Sequence, residues 1–323
     1  MRRKILKEIK SVLIAGMVFM LTPFVITMLM TGVIEEDVSE NLVEMRRVRV
    51  TGDRASLGID ISRYIAGVLA ARLQYSESVE LLKAEAIMIR TEIYRTMGDQ
   101  MTVDDSALGM NYLSEKERKA LWGNAFEEKA ALIADCIRAT DHCVLSVNGA
   151  LIGCPYTVIS AGKTRSGEEV YPGGNVGYLA SCDCSQDMQA PEYLTITAMS
   201  YEEFAAKLIK KFDSEEIVLS AINPMESVQI VARDKAEYVL SAQVGNLMVS
   251  GEELAEALGL SSPSFIMENV VSNGSKKEIK ITTKGKGSGF GISLYTAHQM
   301  AESGKSYEEI LKYFYKGISI INE

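Results

Sequence analysis

Histidine is nearly missing from this chain: 323 residues contain two, His142 and His298. A histidine-built metal centre is therefore excluded. Zinc would have to rest on Cys182-x-Cys184 with one further cysteine, and that spacing is not one a zinc ribbon uses. No metal is expected. A surplus of positive charge is missing as well: the formal net charge is −9. Five of the basic residues crowd into the first ten positions (Arg2, Arg3, Lys4, Lys7 and Lys10), so the rest is more acidic still. Such a surface repels nucleic acid and anionic lipid. Any contact with a glycan must then rest on local shape and hydrogen bonds. Internal repeats and low-complexity tracts are absent. The glycine-rich stretch 285–291, GKGSGFG, lacks the lysine-serine ending of a phosphate-binding loop and the acid that follows a dinucleotide fold. No cofactor is expected. Its glycines instead allow a backbone to approach another backbone, or a sugar, closely.

One long apolar run is present. Residues 12–34 are almost continuously apolar, long enough to cross about 30 Å of hydrocarbon as a helix. Basic residues precede it, and Glu35, Glu36 and Asp37 follow it. Positive flanks stay inside, which predicts a cytoplasmic tail at 1–11 and a single-pass anchor at 12–34. The chain beyond is expected outside the cell membrane. The run is longer than a signal-peptide core and lacks an A-x-A-like site, so it reads as uncleaved.

Residues 35–57 are charged and aperiodic and read as a stalk. A single α+β domain is expected over 58–323. Its first elements are helices near 64–74 and 78–97. Ile65, Val68, Leu69 and Leu73 form one face, with Arg72 in its middle. Val79, Leu82, Ala86, Ile93 and Met97 form the other, with Arg90 inside it. Each arginine either snorkels to water or is buried with a partner. Further helices are expected near 114–121 and 127–138. Short strands at 143–147, 150–154 and 156–159 follow, with Asn148-Gly149 marking a hairpin. Residues 162–177 read as an exposed loop. Serine-to-glutamate capping boxes mark helix starts at Ser200, Ser250 and Ser306. Strands at 227–232, 238–244, 246–249 and 279–283 make about 215–283 a strand-rich sub-region.

Three ordered blocks resemble the SpoIID/LytB family, the stage II sporulation protein D group of peptidoglycan lytic enzymes. The first usually reads Y-x-A-G-V-x-A-A-E, then L-K-A-Q-A-V-A-A-R-T. Here Tyr64, Ala66, Gly67, Val68, Ala70 and Ala71 match, then Leu82, Lys83, Ala84, Ala86, Arg90 and Thr91. The middle block, usually Y-H-S-T-S-G-G-x-T, keeps Tyr156, Ser160, Gly162 and Thr164. The last, usually G-H-G-x-G-M-S-Q-Y-G-A, keeps Gly287, Gly289, Gly291, Ser293, Tyr295 and Ala297. The reacting residues depart. Arg72 stands at the family's catalytic glutamate, Thr157 and Ser288 at its histidines, and Leu294 at its glutamine.

The resemblance implies action on peptidoglycan glycan strands during spore engulfment, beside other engulfment proteins. The family's reaction cleaves the glycan after N-acetylmuramic acid by internal attack of the 6-hydroxyl. One carboxyl group must protonate the leaving oxygen and then accept a proton. Arginine does not deprotonate in proteins and cannot do this. The leading expectation is a degenerate member that binds glycan or serves as a scaffold. Its groove would be lined by Arg90, Tyr156, Ser160, Gly162, Thr164, Gly289, Gly291, Ser293 and Tyr295, with Arg90 holding a substrate carboxyl or acetamide, or pairing with an internal acid. A second expectation is an active lytic transglycosylase with a substitute carboxylate. Glu77 follows Arg72, Glu80 matches an acid common in the family, and Glu85 is placed on the face opposite the apolar stripe. A third is a structural envelope protein. Because the middle block lies between them, Cys154 is expected to form a disulfide with Cys182 or Cys184 in an oxidising compartment.

Overall fold

The computed structural model describes residues 46–51, 58–73, 77–212, 217–220, 222–272 and 276–323. The apolar run at 12–34 lies outside these residues. Among them, no helix is long and apolar enough to cross a membrane.

The fold is α+β, built around helix pairs and five three-stranded sheets among the described residues. Strand β1 (Arg47–Arg49) lies between β2 (Ile59–Asp60) and β3 (Thr102–Asp104). This corrects the stalk, because its residues 47–49 are a strand and Val48 is fully buried. Helix α1 (Ile61–Arg72) begins at an Asp60 cap that accepts the Arg63 amide at 2.8 Å. Helix α2 (Val79–Met97) is the spine. Leu82, Ala86, Ile89 and Ile93 join a core with α1 and the later helix α4 (Phe126–Ala139). Leu81, Ala84, Ile87 and Met88 join a second core under β4 (Cys143–Val147), with helices α7 (Leu294–Glu302) and α8 (Tyr307–Phe314). A helix apolar on most of its circumference must be buried on most of it. The single apolar stripe read from the sequence describes only one of its two packed faces. Helix α3 (Glu115–Trp122) starts on a further capping box, Ser114 with Glu117.

The Asn148-Gly149 hairpin forms between β4 and β5 (Ala150–Leu151), both turn residues having positive φ. Strand β6 (Tyr156–Ile159) lies between β13 (Lys286–Gly287) and β14 (Ile292–Ser293), antiparallel to one and parallel to the other. The middle and last motif blocks are thus hydrogen-bonded neighbours. Their spacing of more than a hundred residues is filled by a third core. It includes β7 (Leu194–Ser200), α5 (Tyr201–Phe212), β8 (Val228–Arg233), β9 (Val239–Val244), β10 (Leu247–Ser250), α6 (Gly251–Leu258), β11 (Phe265–Ser272) and β12 (Lys276–Lys284). The sub-region therefore starts near Leu194, about twenty residues before the boundary read from the sequence. The capping boxes at Ser250 and Ser306 form in full.

Candidate active-site cleft

Arg72 ends α1, where a cation complements the helix dipole. It does not snorkel. Its side chain is 9% exposed and its Nη1 lies 3.4 Å from Glu85 Oε1. The guanidinium stacks on Tyr156, 4.0 Å from the ring centroid. Glu85 is 2% exposed, which corrects its placement on an outward face: α2 has no outward face there. Burial pushes the Glu85 carboxyl up, and the Arg72 guanidinium opposes that shift.

A cleft of roughly 440 Å³ opens beside this pair, its lining including Arg72, Met88, Glu92, Arg95, Met110 and Tyr156. Glu85, Met88, Glu92 and Arg95 follow one another at helical spacing on α2. That periodicity was legible in the sequence and marks the second face of the helix. Glu92 pairs with Arg95 and accepts the Cys154 amide at 3.2 Å. It is the carboxylate that lines the cleft.

Most of the predicted groove residues lie elsewhere. Arg90 is 2% exposed and donates to the carbonyls of Ile137, Thr140 and Cys143 at 3.4, 2.6 and 3.2 Å. It ties down the C-terminal end of α4 and lies outside the Arg72 cleft, lining instead a second cleft with Arg46, Tyr94 and His142. Ser160 and Ser293 are fully buried around a residue the sequence did not single out, Asp187. Asp187 accepts the Ser160 amide at 2.6 Å and the hydroxyls of Ser293 and Thr296, each at 2.7 Å. Gly162 donates its amide to the Ser160 hydroxyl at 3.2 Å, and Thr164 accepts the Cys182 amide at 2.8 Å. These four residues hold the fold and line no groove. Gly289 and Gly291 serve backbone approach. A Cβ on Gly289 would meet the Tyr238 ring at 2.4 Å, and one on Gly291 the Pro155 carbonyl at 1.8 Å. Tyr295 is half-buried on α7, outside the cleft lining. Of the predicted groove, Tyr156 alone reaches the cleft.

The substitute acids are engaged. Glu77 pairs with Lys129. Glu80 binds Lys83 at 2.6 Å and the Tyr307 amide at the start of α8 at 2.8 Å. Thr157 and Ser288 carry no imidazole, and the Thr157 hydroxyl donates to the Lys286 carbonyl at 3.0 Å. All five cysteines are free thiols, which corrects the disulfide expected between Cys154 and Cys182 or Cys184. The reason is direction. Cys182 Sγ points at the Tyr313 carbonyl, 3.1 Å away, whereas Cys154 lies against Glu92 in the cleft. Burial pushes the Cys154 thiol far up, with Glu92 adding to the shift. Among the described residues no three of His, Cys, Asp and Glu assemble into a metal-ligand group.

The arrangement is that of an α+β protein whose motif strand β6 adjoins a cleft lined by an arginine. Comparison with known proteins agrees with the motifs. The stage II sporulation protein family profile matches residues 54–146. Stage II sporulation protein D of Bacillus subtilis (strain 168) is 30% identical over 278 residues, covering 84% of this chain and 77% of that protein. The protein of the same name from Bacillus amyloliquefaciens is 30% identical over 278 residues, covering 84% and 76%. The amidase enhancer of Bacillus subtilis (strain 168) is 25% identical over 298 residues, covering 79% of this chain and 40% of that protein. This chain belongs to the stage II sporulation protein D family.

Proposed function

We propose that this chain is a membrane-anchored, extracytoplasmic family member that binds peptidoglycan glycan during sporulation without cutting it. The names of its relatives, a sporulation protein and an amidase enhancer, support a role at the cell wall of a spore-forming cell. The observation that carries the non-cleaving reading is Arg72. It stands where the resemblance calls for the acid, it is locked between Glu85 and Tyr156, and it cannot cycle a proton at neutral pH. Such a protein acts as a scaffold or regulator beside other engulfment proteins. Purified exodomain (residues 46–323) mixed with glycan strands is expected to sediment with them and to release no anhydro-muropeptides. Robust release would sink this reading.

One observation favours an enzyme instead: Glu92 is a carboxylate lining the same cleft as Arg72. General acid–base work needs its carboxyl within hydrogen-bond reach of the leaving oxygen, and Glu92 is already tied to Arg95 and to the Cys154 amide. Under the enzyme reading, cleavage is present in the wild type and lost in Glu92→Gln.

Topology is tested separately. The basic start and acidic flank of the run at 12–34 support an outside location for the folded part. External protease on spheroplasts is expected to remove it. A folded part that survives protease in intact spheroplasts but not in lysed ones overturns the orientation.

A further inference from the structure

Arg72 carries more donors than the described residues around it accept. A guanidinium carries five N–H groups in a planar fork. Among the described residues Arg72 has one carboxylate partner, Glu85, reached through a single nitrogen at 3.4 Å. Tyr156 covers one face of the guanidinium and fixes its plane. The residue lines the cleft, so the rest of the fork is presented to whatever enters. Arg95 lines the same cleft from the neighbouring helix α2, half-exposed and held by Glu92. Met88, Ile89, Leu108 and Met110 form an apolar wall. Such a wall lowers the local dielectric and strengthens any ion pair made against it.

We propose that this cleft binds a carboxylate group, with Arg72 as the clamp and Arg95 as the second cation at the rim. The choice of ligand rests on the glycan reading above. Arginine suits this chemistry because its fork matches the two oxygens of a carboxylate. Glu85 is sealed beneath Arg72 and does not reach the ligand; it holds the buried guanidinium in place. A glutamate at position 72, as the family carries, would repel the same guest. The carboxyl-holding role expected of Arg90 therefore passes to Arg72, since the Arg90 donors are engaged by three carbonyls. On peptidoglycan two groups offer this chemistry: the lactyl carboxylate of muramic acid and the terminal carboxylate of a stem peptide.

The full-length protein in detergent is titrated with four probes. These are glycan strands stripped of peptide, the same strands with lactyl carboxylates converted to methyl amides, a free stem tripeptide, and its C-terminal amide. The expected result is at least about tenfold tighter binding of one carboxylate form than of its amide. The pair that shows the preference identifies the source. Arg95→Gln, at a half-exposed position, should weaken that form several-fold. Arg72→Met/Glu85→Gln, which removes the buried pair together, should abolish the preference; its fold is checked by circular dichroism and its unfolding midpoint. Equal binding of acid and amide overturns the carboxylate site and leaves the glycan reading standing. No binding of any probe overturns both.

Discussion

Arg165→Met should lower folding stability by about 3–5 kcal/mol, the range for stranding the partner of a buried ion pair. Arg165 is among the largest fully buried side chains in the protein. Its Nε bonds Asp234 at 2.6 Å and its Nη1 pairs with Glu252. Its guanidinium lies between Tyr238 and Phe290, 5.2 and 4.7 Å from the ring centroids. The Arg165 amide also donates to the Gly289 carbonyl at 2.8 Å. One residue thus joins the middle motif block, the glycine-rich block and the third core. Removing the guanidinium strands Asp234, which is sealed from water with only the amides of Ala236 and Tyr238 for company. Arg165→Lys should be intermediate, since an ammonium keeps the charge and loses the fork. Urea unfolding of the folded part, residues 46–323, measures the loss. The control is Arg138→Ala, which breaks a largely exposed pair with Asp135 and should leave the midpoint in place. A midpoint unchanged in Arg165→Met would remove the claim that this pair holds the two halves together.

The second large effect lies at the Arg72–Glu85 pair. Arg72→Met alone leaves the Glu85 carboxylate buried and unpaired, at a cost of about 3–5 kcal/mol. Adding Glu85→Gln should recover part of that, giving a coupling of about 1–3 kcal/mol in a double-mutant cycle. Arg72→Glu makes a sharper test. It sets two carboxyl groups side by side in a buried place, and both cannot ionise. One is then held protonated well above the ordinary carboxylate range. A raised native value contributes stability that is present in acid and lost as pH rises through it. The variant should therefore be more stable near pH 5 than near pH 8, by unfolding midpoint. Arg72→Glu/Glu85→Gln, which leaves a single carboxyl group in the pair, should lose most of that dependence. Flat pH behaviour in Arg72→Glu would show that positions 72 and 85 are not in contact.

Much of this protein was legible as sequence. Period and capping chemistry are local, and so α1, α2, α4, β4, β6 and the Asn148-Gly149 turn were readable within a few residues. The three motif blocks marked the family. What the sequence could not supply was which polar side chains face a cavity. Arg90, Ser160, Thr164 and Ser293 read as a groove because they are polar and share motifs. They are buried, and their partners are carbonyls, an amide and Asp187, supplied by segments up to 106 residues away. A buried polar group must find a partner, and the partner is chosen by packing and not by neighbours in the chain. The same holds for α2. Its sequence carries two apolar stripes, and only the placement of β4, α7 and α8 decided that both are covered. That placement left Met88, Glu92 and Arg95 to border the cleft and brought the buried Glu85 within reach of Arg72.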